Sequence, residues 1–394
     1  MRLSSRRCLL VYIKVGKENH HLQPKQPHHF LRIFPVVTYK APPIIIMTRK
    51  ITNTVKSAPY GKIIITSLSA MAQGLFASLL IGTIISTIGR QAGIPAIVEA
   101  GSFAMAMAGP AMAVSIAYAL HASPLVIFSM ATVGHAANTL GGAGGPLAVF
   151  IISLVATGIG RLVSGKTRVD ILATPLLTIG CGVAMAYLLA PGIGAAASSV
   201  GGLIIWATAQ QPLVMGIIVS VIVGMALTLP ISSAAICAAL GLTGLAGGAA
   251  LAGCCAQMVG FAFLSIKENG LNGLISQGIG TSMLQMGNIV RNPRVWLPPI
   301  IVSAITGPLA TCLFHLEMNG PAISSGMGTC GLVGQIGVYT GWMAEIESGA
   351  RLSVTMTDWT GLLLISLVLP AVLTPLIGIA FRRMGWIKPG DLKI

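Results

Sequence analysis

The chain has 394 residues, of which 54% are hydrophobic and only 8% charged, with a formal net charge of +15. A soluble domain carries about 25% charged residues; this composition, with a mean hydropathy of +0.86, excludes a water-soluble core. The excess of bases is no nucleic-acid surface either, because it is concentrated at one end of the sequence and in short loops between apolar runs.

Residues 1–46 hold eight Lys/Arg (Arg2, Arg6, Arg7, Lys14, Lys17, Lys25, Arg32 and Lys40) against one acid, Glu18. His20, His21, His28 and His29 lie there among Pro and Gln. They read either as a metal-binding tract or as part of a disordered tail, and no carboxylate or Cys spacing supports the metal. The head lacks the apolar core and cleavage site of a signal peptide. Met47 opens MTRK, an ordinary start to a membrane protein, so 1–46 is expected to be a disordered head or a mis-assigned start, and 47–394 the membrane domain.

Apolar runs then recur almost without pause. A spanning helix needs roughly 20 such residues, and the expected fold is an all-α polytopic membrane protein of about ten transmembrane or re-entrant segments. The first is placed at 63–88 and the second at 102–120. A hairpin follows, 124–140 and 146–160, folded at the turn GGAGGP. The loop 161–170 carries Arg161, Lys166 and Arg168, the pattern of a cytoplasmic connection. Residues 171–189 read as a span ending at Pro191-Gly192, with 200–211 along the interface, and 213–229 spans again. A second hairpin pairs 231–242 with 249–266. The run 295–314 spans, the Gly-broken 320–341 reads as re-entrant, and 361–381 is last, with both termini cytoplasmic. The hairpin turns TLGGAGGPLAV and GLAGGAALAG are alike enough for a parallel repeat, or share only Gly/Ala composition.

Chemistry in such a chain must come from groups that are costly in lipid. The segment 280–299 is a polar island between two apolar stretches, with Gln285, Asn288, Arg291, Asn292 and Arg294. His135 and Asn138 precede the first Gly turn, Gln257 lies in the second hairpin, and Gln335 in the re-entrant stretch. These uncharged groups donate and accept hydrogen bonds, as a hydroxyl-rich solute requires. His135, Asn138, Gln257, Gln285, Asn288 and Gln335 are the candidate solute ligands; the alternative for each is a helix–helix hydrogen bond. Arg291, Asn292, Pro293 and Arg294 form either a cytoplasmic gate where a partner docks or a positive-inside anchor, with Pro293 breaking the helix. The tryptophans, Trp206, Trp296, Trp342 and Trp359, read as interface anchors. The cysteines lie in apolar segments and read as packing residues. No HExxH, GxSxG or GxxxxGK[ST] motif and no paired carboxylates occur, so no catalytic residue, metal or cofactor is expected.

PISSAAICAALGL (230–242), AGCCAQMVGFAFLS (252–265), GLISQGIGTSMLQMGNIVRNPRVWLPP (273–299), ITGPLATCLF (305–314) and GMGTCGLVGQIG (326–337) resemble the membrane subunit IIC family of the phosphotransferase system. The branch is the one that includes perfringolysin-regulator-like membrane proteins, and the likeness covers most of 60–385. It implies a homodimeric permease of the bacterial inner membrane, moving a sugar or polyol that a IIB partner phosphorylates, by elevator-like motion of a substrate domain. Neither a IIA nor a IIB sequence is recognisable, which implies separate partner chains. The GITEP-like loop of glucose-type subunits is also missing, so their sugar-binding residues have no counterparts here. A ligand-sensing membrane regulator on the same fold, or a phosphate-independent facilitator or exporter, are the other readings.

Overall fold

The structure is a computed structural model that describes residues 59–394. The basic head, its histidines and Met47 lie outside the described residues. From Ile63 an apolar run free of proline forms α1 (Pro59–Leu75), which loosens into a π turn at Phe76–Leu80 and continues as α2 (Ile81–Gln91). The stretch Gly61–Gln91 is 31 residues, about 45 Å at 1.5 Å per residue. Lys62 and Arg90 therefore mark opposite ends of the molecule. α3 (Pro95–Ala106) and α4 (Ala108–Ala119) return as a pair bent by 45°.

The first hairpin forms as expected. α5 (Pro124–Gly141) and α6 (Gly145–Val163) fold back at Gly142, whose φ of 50° suits a residue without Cβ. Val126 packs on Gly160, so the arms run antiparallel. Gly109 of α4 and Gly134 of α5 bring those two backbones into contact, where either Cβ would collide with the opposite carbonyl.

Beyond the basic loop the structure departs from the expected break at Pro191. α7 (Asp170–Thr208) is one continuous helix of 39 residues with Pro175 and Pro191 inside it. Each proline removes only its own N–H bond, and the neighbouring turns hold the helix through it. Its inner side repeats a small residue every fourth position (Thr174, Thr178, Gly182, Ala186, Ala190, Gly194), while Leu172, Leu176 and Leu188 are exposed to the lipid side. The first half of α7 packs on α5 and α6, and its second half on α8 (Pro212–Thr228), so the helix ties two bundles together.

The second bundle surrounds α10 (Gly244–Leu264), buried nearly throughout because its inner faces are Gly, Ala and Cys. The second hairpin is lopsided: its first arm is the seven-residue α9 (Ser233–Ala239), and Ser232 donates from its N–H to the carbonyl of Ala143 in the first Gly turn at 2.8 Å. The first Gly turn thus meets the start of α9, at the end opposite the second Gly turn. α11 (Ile266–Ile275), a π turn at Ser276–Gly280, a 3-10 turn at Ser282–Gln285, α12 (Met286–Arg291) and a 3-10 turn at Pro293–Trp296 lead into α13 (Leu297–Pro308). The re-entrant stretch is α14 (Ala322–Ser325) and α15 (Val333–Glu347), separated by positive-φ Gly328, Gly331 and Leu332. α16 (Met356–Leu363) and α17 (Leu369–Arg383) complete the fold.

Among the described residues the chain is all-α, and six helical stretches, with the α5–α6 hairpin counted as one of them, are long and apolar enough to cross a membrane, seven if the bent α3–α4 pair is one crossing. The expected count of about ten included half-helices such as α9 and α14, which are too short to span.

Candidate functional site

The helix breaks converge on one seam. The π turn of α1–α2 contributes Leu75, Leu79 and Leu80; the first Gly turn contributes Pro146; the α8–α9 break contributes Leu227, Ser232 and Ser233. Gly280, Thr281 and Met283 face them from the broken island, and Met327 and Cys330 from the re-entrant stretch. Between them lies a cavity of about 70 Å³. Further along α2, where it meets α14 and α15, lies a separate vestibule of about 550 Å³. Thr87, Arg90, Gln91, Asn319, Ser324 and Thr340 line it, and its size falls in the range of roughly 300–1,000 Å³ typical of small-molecule sites. Leu80 and Thr87 are seven residues apart on one helix, so cavity and vestibule are about 10 Å apart along it.

Arg90 is exposed toward the vestibule, and one of its nitrogens donates to Ser86 Oγ at 3.3 Å. The Asn319 amide donates to Glu317, at 2.8 Å, and to Glu345. Glu345 in turn pairs with Arg351, which also bonds Asp358 at 2.7 Å. The vestibule wall offers a guanidinium, amides and hydroxyls, the mixture that hydrogen-bonds a polyhydroxylated solute, with the carboxylates behind Asn319.

On the other side of the cavity the polar groups bond to one another. Gln257, fully buried in α10, accepts from Trp296 Nε1 at 2.9 Å and Thr228 Oγ1 at 3.2 Å, and its amide donates to Ser303 Oγ at 3.4 Å. Thr228 shares a 2.8 Å bond with Ser282, beside the cavity residues Thr281 and Met283. Trp296 is therefore a partner of a buried amide, and Trp342 is buried against Trp359, so neither is an interface anchor; Trp206 is exposed as one would be. A second amide chain begins at Gln277, which donates to Ser265 Oγ at 2.8 Å and accepts from Gln285. Asn288 donates to Gln285 Oε1 at 2.7 Å. The remaining donors of Gln285 and Asn288 reach the carbonyls of Leu392 and Lys393 at 2.9 and 3.0 Å.

The six candidate solute ligands thus occupy separate settings. Gln257 anchors one network, and Gln285 and Asn288 are joined in the other. Gln335 donates to Cys255 Sγ at 3.4 Å while its buried Oε1 has no partner. Asn138 packs on Gly109 and Gly145. His135 is exposed on α5, away from the seam. In the segment 291–294, Asn292 donates to the Trp386 carbonyl and to Asp391, both at 2.9 Å, Arg294 lies over the Trp386 ring, and Arg291 is exposed. Sequence reasoning missed Gln277, Arg90 and Asn319; Gln277 lies just outside the polar island, and the other two are joined only by the tertiary fold.

Residues 65–394 match the family described as phosphotransferase system, EIIC. The chain belongs to that family. Neither a curated protein nor a solved structure matches it. This EIIC protein is accordingly a multi-pass membrane component of a phosphotransferase-system transporter.

Its charges are segregated. Arg161 shares a surface hollow with Ile63 and Ile64, and Gly287 packs on Ile65, so the loop 161–170 and α12 belong to the end where α1 begins. Eleven of the thirteen described Lys/Arg are at that end of the EIIC protein: Lys62, Arg161, Lys166, Arg168, Lys267, Arg291, Arg294, Arg382, Arg383, Lys388 and Lys393, with the acids Asp170, Glu268 and Asp391. Arg90 and Arg351 are at the vestibule end, with Glu99, Glu317, Glu345, Glu347 and Asp358.

Proposed function

We propose that this EIIC protein is a sugar permease, taking its solute at the vestibule of Arg90, Gln91, Asn319 and Ser324 and passing it along the seam to the opposite face, where a separate IIB protein phosphorylates it. The observation that carries the reading is the presence, among interrupted helices, of a vestibule of about 550 Å³, large enough for a sugar, with a cavity of about 70 Å³ deeper along α2. A carrier must open one end at a time, and a wide vestibule with a narrower cavity behind it supports a route entered from the vestibule. Peptide groups freed at the breaks supply further donors and acceptors where the solute passes. Gln257, Gln285 and Asn288 hold the broken segment 276–296 in place behind the cavity.

The concentration of Lys and Arg at the end bearing Lys62, Arg161 and Arg294 supports placing that end, and both termini, in the cytoplasm. Exposed Arg291 and Arg294 then offer an anionic phosphodonor protein its landing surface. The exposed His135 face of α5, a polar group facing outward from a membrane helix, supports burial against a second copy. IIA completes the phosphate relay.

Uptake of a labelled sugar panel into vesicles, with and without internal phosphoenolpyruvate and the soluble phosphotransfer proteins, tests the reading. The expected result is accumulation of sugar phosphate only when the phosphate supply is present. Equilibration of free sugar without it would instead assign a facilitator, and specific binding without uptake a sensor.

A further inference from the structure

Arg291 and Arg294 of the polar island are exposed, but its amides Gln285 and Asn288 are buried. Trp386–Ile394, the segment that follows α17, lies across it and is read through its backbone. Gln285 and Asn288 donate to the carbonyls of Leu392 and Lys393, at 2.9 and 3.0 Å, and Asn292 to that of Trp386 at 2.9 Å. Asn269 takes both senses: its amide donates to the Leu392 carbonyl at 2.8 Å and its oxygen accepts from the Ile394 N–H at 3.0 Å. Glu268 accepts from the Leu392 N–H at 3.0 Å and is itself held by Arg382 at 2.9 Å. Two apolar side chains, Ile387 and Leu392, are seated at 2% and 0% exposure in the cluster of Phe261, Leu264, Ile289 and Val295.

One short stretch of chain links this dock to the solute route. Gly280, Thr281 and Met283 line the inner cavity, while Gln285, Asn288 and Asn292 grip the segment. Between them Ser282, fully buried, ties the stretch to Thr228. Gly280, Thr281 and Met283 form one wall of the cavity, and Gln285, at the end of the same turn, is bonded to Leu392.

We propose that residues 386–394 are a latch on the inner end of the seam: seated, they fix 276–296 and close the route; released, they let it open. This rests on the permease reading for what passes through, but the latch itself is a statement about access. Apart from the sockets of Ile387 and Leu392, the segment is held mostly through its backbone by the uncharged amides of Asn269, Gln285, Asn288 and Asn292.

The test reads access and needs no transport. In a background with the native cysteines replaced, Ser282→Cys reports whether a water-soluble maleimide reaches the seam from the side bearing Lys62. In the full chain the thiol is expected to be protected. With 386–394 deleted, and the protein still monodisperse with a cooperative thermal transition, labelling is expected to rise at least tenfold. An unchanged rate in the folded deletion overturns the latch. If the deletion does not fold, Leu392→Asp, which keeps the segment but places a charge in its buried socket, decides: faster labelling supports the latch, and an unchanged rate overturns it. Absence of sugar uptake in any of these proteins bears on the permease reading alone.

Discussion

Gly253 shows what single residues decide in this protein. A Cβ there would run into the carbonyl of Ser220, and one at Gly248 into that of Leu316, so α10 touches its neighbours backbone to backbone. Gly192, exposed on α7, would meet nothing. Gly253→Ala is therefore expected to cost about 1–3 kcal/mol through overpacking, read as a lower unfolding temperature in detergent, while Gly192→Ala is neutral or slightly stabilising. Glycine content alone does not separate these two positions. The amides are similar: the sequence marks Gln257, Gln285 and Asn288 as polar groups in apolar surroundings, and all three are buried and hydrogen-bonded. That Gln257 answers Trp296, and Gln285 answers residue 392, depends on contacts 39 and 107 positions apart, which no local pattern encodes.

At the level of elements, apolar runs located the first hairpin and α8 to within a few residues and placed the crossings that contain α13 (Pro293–Leu313) and α17 (Met356–Arg383), because lipid imposes length and hydropathy on every crossing. Errors fell where local rules compete with tertiary support. Pro191-Gly192 is a stop signal in water, yet α7 runs through it; the apolar setting penalises a broken backbone more than a missing N–H. Pro191→Ala should then leave uptake unchanged and stabilise α7 by up to about 3 kcal/mol, visible as a raised unfolding temperature. If α7 were hinged at this proline for transport, the same change would depress uptake instead. The island 280–299 is legible as an interruption, but the expected hairpin arm 231–242 is only the seven-residue α9, and its meeting with the first Gly turn at Ser232 is written in no local pattern.

Across the whole molecule, charge and shape agree on a direction. The bases gather where α1 begins, and the vestibule opens at the other end. In the cysteine-replaced background, Lys166→Cys should be labelled by an impermeant reagent only from the cytoplasmic side of oriented vesicles, and Glu347→Cys only from outside; the reverse pattern would invert the proposed transport direction. The 39-residue α7 has a different consequence. It is about 58 Å long, nearly twice the roughly 30 Å hydrocarbon thickness, yet Leu203, Ile205 and Trp206 near its far end still present apolar surface. Such a strut must lean steeply or draw the surrounding leaflets out of shape, and the energy of either depends on acyl-chain length. The relative position of the two bundles is thus coupled to the thickness of the host bilayer, and the lipid itself becomes part of the transporter's mechanics.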